Sequence, residues 1–216
     1  MDFSVLKTKQ REIRDAFPND LGLRVHRAIS WLNCAEQADE NPDARFIFYW
    51  IAFNAAYAEQ RGEGVPLGTR SVFDEYFEKI IRLDEQHLIY NAIWSKCSNS
   101  IKQLLDNKYV FDPFWSHFNG APGYQDWEER FLKSKKRVQR ALQNRDTKAI
   151  LSTLFDRMYV LRNQLVHGGA TWASSVNREQ VKGGANIMAF LVPIFIDLMM
   201  DNPDVNWGEP YYPVVE

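Results

Sequence analysis

The chain has 216 residues, of which 45% are hydrophobic, and its formal net charge at pH 7 is −2. A chain of this length and composition can bury a sizeable core and fold as one large domain or two small ones. Because the overall charge is slightly negative, it does not indicate nucleic-acid binding. Any such binding would need a local basic patch.

The first part of the chain predicts a short lead-in helix within residues 1–20 and two core helices. Apolar residues at helical spacing predict the first core helix over 21–39. Asn41, Pro42 and Asp43 mark the start of the second, because Asn caps, Pro suits the first turn and Asp complements the helix dipole. This second helix, 43–60, contains the stretch FIFYWIAFNAAYA. It is apolar all round, so we expect it to be buried on every side.

Asn54 is the polar residue within this apolar stretch. One interpretation is a buried amide that bonds to a neighbouring helix. The other is that Asn54 lies below a functional site and orients Arg162 or His167, with Trp50 on the same helix face.

Residues 61–126 are predicted to be a helical and aromatic-loop insertion in a helical bundle. Arg61 to Gly68 predicts a loop, and helices are expected at about 71–82, 85–95 and 101–107. The segment 109–127 is rich in aromatic residues and is expected to be irregular. Its rings either plug one end of the bundle or stack on the bases of single-stranded nucleic acid. His117 in this segment is a structural residue or part of a site.

The helix predicted over 127–143 has an apolar side and a basic side. Five cations gather within an arc of about 120° on the basic side: Arg130, Lys133, Lys136, Arg137 and Arg140. They form either a solvated outer face or a contact surface for the phosphates of RNA. Lys133, Lys136, Arg137 and Arg140 are the candidate RNA-binding residues.

The next core helix, 147–168, has one apolar seam and a second, mixed face. The seam residues recur at spacings of three and four, and they are Leu151, Leu154, Met158, Leu161 and Leu165. Gly168 and Gly169 predict the helix stop. Asn163 and His167 are four residues apart and lie roughly 160–200° from the seam. Such a second face suggests a partner or a site.

A last core helix is predicted over 177–200, with Asn177 and Gln180 in a capping-box pattern. Pro193 is expected to kink this helix. The tail that follows, DNPDVNWGEPYYPVVE, is rich in Pro and aromatic residues. We expect it to lie extended over the bundle.

Arg162, Asn163 and His167 are the candidate catalytic residues. Cleavage of RNA by its own 2′-hydroxyl needs a proton acceptor, a proton donor and positive charge near the phosphate oxygens. An imidazole supplies one of the first two, a guanidinium supplies the charge, and an amide orients the imidazole or bonds to the phosphate. The competing interpretation is that Asn163 and His167 are structural.

These residues stand in the pattern R-N-x-x-x-H, late in a helix and just before Gly-Gly, which resembles the signature of the HEPN superfamily. The segment RAISWLNCAEQADENPDARFIFYWIAFNAAYAE resembles the first two helices of such domains. The resemblance implies an all-α, up-and-down helical bundle forming a single domain over 1–216. It also implies a metal-independent endoribonuclease that acts on RNA as a homodimer, with no cofactor, in a toxin or defence system. A separate antitoxin-like protein is then a possible partner.

The remaining sequence features concern the cellular location of the protein and the alternatives to a nuclease function. Cys34 and Cys97 lack metal-ligand spacing, and free thiols in a reducing cytosol are the simplest interpretation. The charged N-terminus lacks a signal-peptide core, and Pro193 and Asp197 interrupt the apolar run near the C-terminus, so we expect a cytoplasmic protein without a membrane span. Besides the nuclease, two functions stay open: a catalytically inactive RNA- or nucleotide-binding module, and a helical dimerisation scaffold.

Overall fold

The computed structural model describes residues 1–59, 70–96 and 98–214, and all of its regular elements in these ranges are helices. The predicted all-α class is therefore confirmed. An isolated bridge pairs Glu59 with Pro210. The predicted loop from Arg61 to Gly68 and the thiol of Cys97 lie outside the described residues.

The helices follow the predicted core closely. They are α1 (Phe3–Ile13), α2 (Asn19–Gln37), α3 (Pro42–Tyr57), α4 (Arg70–Leu83), α5 (Leu88–Asn91, continued by a π turn, Ala92–Lys96), α6 (Ser98–Leu105), α7 (Asp112–Phe118), α8 (Trp127–Gln143), α9 (Thr147–Val166) and α10 (Arg178–Asp201). The five core helices predicted from the sequence correspond to α2, α3, α8, α9 and α10, and their ends agree within a few residues.

The core is organised around the aromatic side chains of α3. Phe53 is fully buried, and its ring lies 4.5 Å, centre to centre, from the rings of both Tyr57 and Phe155. Five further rings surround Phe53 at 5.8–6.2 Å, and they belong to Trp50, Phe73, Tyr76, Phe77 and Phe195. Aromatic rings at these separations attract one another in addition to the area that they bury. This cluster joins α3, α4, α9 and α10.

The α10 helix reaches the cluster because it carries a glycine where it crosses α3 and α9. A Cβ atom at Gly184 would lie 2.9 Å from Phe46 and 3.4 Å from Leu161. The absence of a side chain thus allows the three helices to approach closely. By length and composition α10 could cross a membrane, but 72% of its most apolar window is buried inside the fold, as in the core helix of a globular protein.

The helix α3 is not buried on every side, contrary to the prediction. One face is only half-buried and carries Ile47, Ile51, Asn54, Ala55 and Ala58. These positions recur at helical spacing, and α2 and α9 flank this face without closing over it. Hydropathy alone could not reveal the opening, because the side chains on this face are nearly all apolar.

The middle of the chain contributes to the same core. The α4 side chains Phe73, Tyr76, Phe77 and Ile80 are buried within it. The segment 109–127, expected to be irregular, includes the short helix α7, which begins with a Pro in its first turn. His117 is exposed, with its ring 6.3 Å from that of Trp127.

The predicted start of α10 is correct in position, but the predicted capping hydrogen bond is not formed. Asn177 occupies the N-cap position, yet its side chain makes no capping hydrogen bond. The first turn is held instead by Arg178, whose Nη2 donates to Asp43 Oδ2 at 3.0 Å. Asp43 also accepts from the backbone N–H of Ala173. An ion pair between two residues 135 positions apart in the sequence thus takes the place of the local cap.

The C-terminal tail lies on the bundle, as predicted. Trp207 is buried, and its indole Nε1 donates to the carbonyl of Asn202 at 3.0 Å. Lys79 of α4 binds the carbonyl of Asn206 and lies over the Trp207 ring. The tail therefore packs as a fixed part of the fold.

Replacing Phe53 by Ala is expected to lower the free energy of unfolding by about 3–5 kcal/mol, because a fully buried ring is exchanged for a cavity. Phe190→Ala, on the exposed side of α10, is the matched control and should cost about 1 kcal/mol or less. Urea unfolding followed by circular dichroism measures both. Equal losses for the two variants would contradict the central position of Phe53.

Candidate functional site

The candidate catalytic residues lie at the C-terminal end of α9. The helix begins where Asp146 accepts a hydrogen bond from the N–H of Ala149 at 2.9 Å. Its predicted seam is fully buried from Leu151 to Leu161, whereas Leu165 near the helix end is half-buried. The helix ends at Val166, and Gly168 follows with φ +71°, a conformation that favours glycine.

The three side chains at this end differ in their surroundings. Arg162 Nη1 donates to Asn163 Oδ1 at 3.0 Å, and both residues are half-buried. His167 occupies the C-cap position and is exposed to solvent. Among the described residues, the imidazole of His167 has no hydrogen-bond or ion-pair partner. Arg162 and His167 are five residues apart, which separates their directions by about 140° around the helix.

Arg162 reaches a cavity of about 400 Å³ that lies against the half-buried face of α3. Its walls come from α2, α3, α9 and the C-terminal tail, and we call it the α3 cavity. The lining residues are Arg24, Arg27, Trp31, Trp50, Ile51, Asn54, Ala55, Tyr57, Ala58, Tyr159, Arg162, Pro210, Tyr211 and Tyr212. Of the predicted site residues, the α3 cavity brings together Trp50, Asn54 and Arg162. Asn163 touches it only through Arg162, and His167 is not among the lining residues.

Trp50 and Asn54 have different roles in this wall. Trp50 is buried, and its ring lies 6.2 Å from those of Phe155 and Tyr159 on α9. It therefore joins α3 to the helix that carries Arg162. Asn54 is half-buried, and its amide has no hydrogen-bond partner among the described residues. The amide is thus available to a molecule in the cavity.

Positive charge dominates the lining of the α3 cavity. Among the described residues that line it, three are arginines and none is an Asp or Glu. Arg24 is almost fully buried and donates to three backbone carbonyls, those of Ala56, Gly208 and Glu209, at 2.8–3.2 Å. Burial lowers the pKa of Arg24, an effect that the nearby Glu59 opposes.

Arg24, Arg27 and the tail are the parts of this site that the sequence interpretation missed. Arg27 Nη1 donates to the carbonyl of Tyr212 at 2.6 Å. One signal for Arg24 was present in the sequence, because it lies at helical spacing between the apolar residues Leu21 and Ala28. A charged residue on the buried side of a helix requires partners, and here the partners are one carbonyl of α3 and two of the tail.

The basic face of α8 lies elsewhere on the molecule, since α8 packs on α9 through its opposite side, where Val138 and Ala141 are buried. Two of the five predicted cations are neutralised within α8, because Arg130 pairs with Asp126 at 2.8 Å and Lys133 pairs with Glu129 at 2.7 Å. The other three are exposed and have no ion-pair partner in the part of the chain that the structure describes: Lys136, Arg137 and Arg140. None of the five lines the α3 cavity.

Within the described ranges, no three His, Cys, Asp or Glu side chains are grouped closely enough to hold a metal ion. Comparison of the chain with protein-family models, with curated proteins and with solved structures finds no match. The chemistry of the site must therefore be inferred from its own side chains.

Replacing Arg24 by Met is expected to lower the free energy of unfolding by about 3 kcal/mol, since carbonyls of α3 and the tail lose their donor. Arg27→Met removes a half-buried guanidinium with one carbonyl partner and should cost about 1 kcal/mol. Denaturant unfolding of the two variants and the wild type provides the comparison. A loss for Arg24→Met no larger than for Arg27→Met would show that Arg24 does not fix the tail.

Proposed function

We propose that the protein is a metal-independent endoribonuclease of the HEPN type, with an active site formed by two copies of the chain. The observation that carries the proposal is the arrangement at the end of α9. The imidazole of His167 is exposed and without a partner among the described residues, while the guanidinium of Arg162 is held against Asn163. These are the side-chain types that 2′-hydroxyl attack requires.

In this reaction the 2′-oxygen of a ribose attacks the adjacent phosphorus and the bond to the 5′-oxygen breaks. The products are a 2′,3′-cyclic phosphate and a 5′-hydroxyl. One His167 accepts the proton of the 2′-hydroxyl, and a second, protonated His167 donates a proton to the leaving 5′-oxygen. Arg162 bonds to the non-bridging oxygens as their charge increases.

The geometry favours a two-fold dimer for this chemistry. One chain carries a single His167, and its own Arg162 points about 140° away from it around the helix. A two-fold pairing of the α9 ends supplies two imidazoles and two guanidiniums. Two apolar residues close to His167 in the sequence are exposed, Val166 at 50% and Trp172 at 67%. Exposed apolar residues of this kind are typical of a surface that contacts another protein.

A second candidate is an RNA-binding module without catalysis. The observation that favours it is the basic face of α8, where Lys136, Arg137 and Arg140 are exposed and have no ion-pair partner among the described residues. These three cations, with Lys133 at their edge, would contact RNA phosphates whether or not His167 acts on the RNA. A toxin or defence role, and an antitoxin-like partner protein, would accompany the nuclease and belong to the same proposal.

Replacing His167 by Ala should reduce RNA cleavage about 100-fold or more, the scale of a lost general acid or base, while RNA binding is retained. His26→Ala, which alters an exposed histidine of α2, is the matched control. Denaturing gels and end-group analysis would follow the cleavage, with EDTA present throughout. Cleavage that persists in His167→Ala, or that yields 3′-hydroxyl ends, would refute the proposed reaction.

The contribution of α8 can be tested through the salt dependence of RNA binding. Arg137→Gln should flatten the slope of log affinity against log salt by about 0.7, the value for one lost phosphate contact on a single strand. Lys133→Gln should change the slope less, because Glu129 already neutralises Lys133. Equal slopes for both variants and the wild type would place RNA on another surface.

A further inference from the structure

We propose that the α3 cavity binds a small organic anion that carries a flat aromatic ring. This site shares Arg162 with the proposed nuclease site but does not include His167, and its occupancy does not depend on RNA cleavage. Its volume of about 400 Å³ falls in the range of small-molecule sites, about 300–1,000 Å³. The charge, the aromatic walls and the rigidity of the cavity each support this ligand class.

The charge of the lining selects an anion. Among the described lining residues, Arg24, Arg27 and Arg162 are the charged ones and none is an Asp or Glu, although Glu59 lies close to the buried Arg24. A guanidinium has five N–H donors. Arg27 uses Nη1 for Tyr212, and Arg162 uses Nη1 for Asn163, so each retains donors for a ligand. A partly enclosed cavity of one sign concentrates ligands of the opposite sign.

The walls select a flat ring. Aromatic side chains come from α2, α3, α9 and the tail: Trp31, Trp50, Tyr57, Tyr159, Tyr211 and Tyr212. The floor is apolar and consists of Ile51, Ala55 and Ala58. An inorganic anion would leave these surfaces uncovered, whereas a ring would bury them. The Asn54 amide lies in the same wall and can fix the orientation of a polar ring substituent.

The walls are held in place before any ligand arrives. Arg24 fixes the tail through two of its carbonyls, and the hydrogen bond from Arg27 to Tyr212 positions the Arg27 guanidinium. Trp50 is confined by the rings of Phe46, Phe53, Phe73, Phe155 and Tyr159. Binding therefore requires little ordering of the protein, which favours affinity.

An aromatic carboxylic acid and a nucleoside monophosphate both combine a ring with an anionic head. Ligand-observed NMR titrations with phenylacetate and with adenosine 5′-monophosphate distinguish these two classes of ligand. Benzyl alcohol, a neutral ring, and inorganic phosphate, a charge without a ring, are the controls. We expect one of the anionic aromatic probes to bind about tenfold or more tightly than either control, since it alone uses both the guanidiniums and the rings.

Two variants locate the binding in the α3 cavity. Arg27→Gln should weaken the affinity for the bound probe about tenfold, as expected for a lost charged hydrogen bond. Arg11→Gln, at an exposed residue of α1 that does not line the cavity, should leave this affinity unchanged. Ala55→Trp, checked for folding by circular dichroism, should fill the cavity and abolish binding. Equal affinity for benzyl alcohol, or unchanged affinity in both Arg27→Gln and a folded Ala55→Trp, would overturn the proposal. If the protein binds the probe but does not cleave RNA, the ligand site proposed here stands and only the nuclease proposal is refuted.

Discussion

The contact between Phe53 of α3 and Phe155 of α9 is the interaction on which the rest of the structure depends. Both rings are fully buried, with their centres 4.5 Å apart. One helical turn further along α9, Tyr159 meets Trp50, and three residues later Arg162 enters the α3 cavity. A displacement of α9 on α3 would therefore separate the arginine from the aromatic wall at the same time as it opened the core.

Local signals in the sequence were sufficient for the five core helices, although they missed the short helix α7. The caps at Asn41 and Gly168 and the apolar periodicity of α9 are properties of neighbouring residues, and the structure agrees with them. The open face of α3 and the position of the tail follow from contacts between distant residues. Arg24 and Gly208, for example, are 184 positions apart. Periodicity carries no information about such pairs, which is also why the Arg178–Asp43 contact in place of a cap at Asn177 was missed.

The candidate site was predictable in part for the same reason. One of the two interpretations of Asn54 placed it, with Trp50, below a site that includes Arg162, and all three residues line one cavity. His167 lies outside that cavity, because five residues of helix turn it away from Arg162. The sequence placed the motif at the end of a helix, but only the packing of α2, α9 and the tail around α3 divides it into an enclosed arginine and an exposed histidine. The nuclease proposal requires a second chain to bring these groups together.

The most direct test of the shared active site compares RNA cleavage activity per chain with the fraction of dimer, which analytical ultracentrifugation measures. The protein would be diluted through its association range at constant salt and RNA concentration. If two chains form the active site, activity per chain falls in parallel with the dimer fraction. Activity per chain that stays constant while the protein becomes monomeric would contradict the shared site.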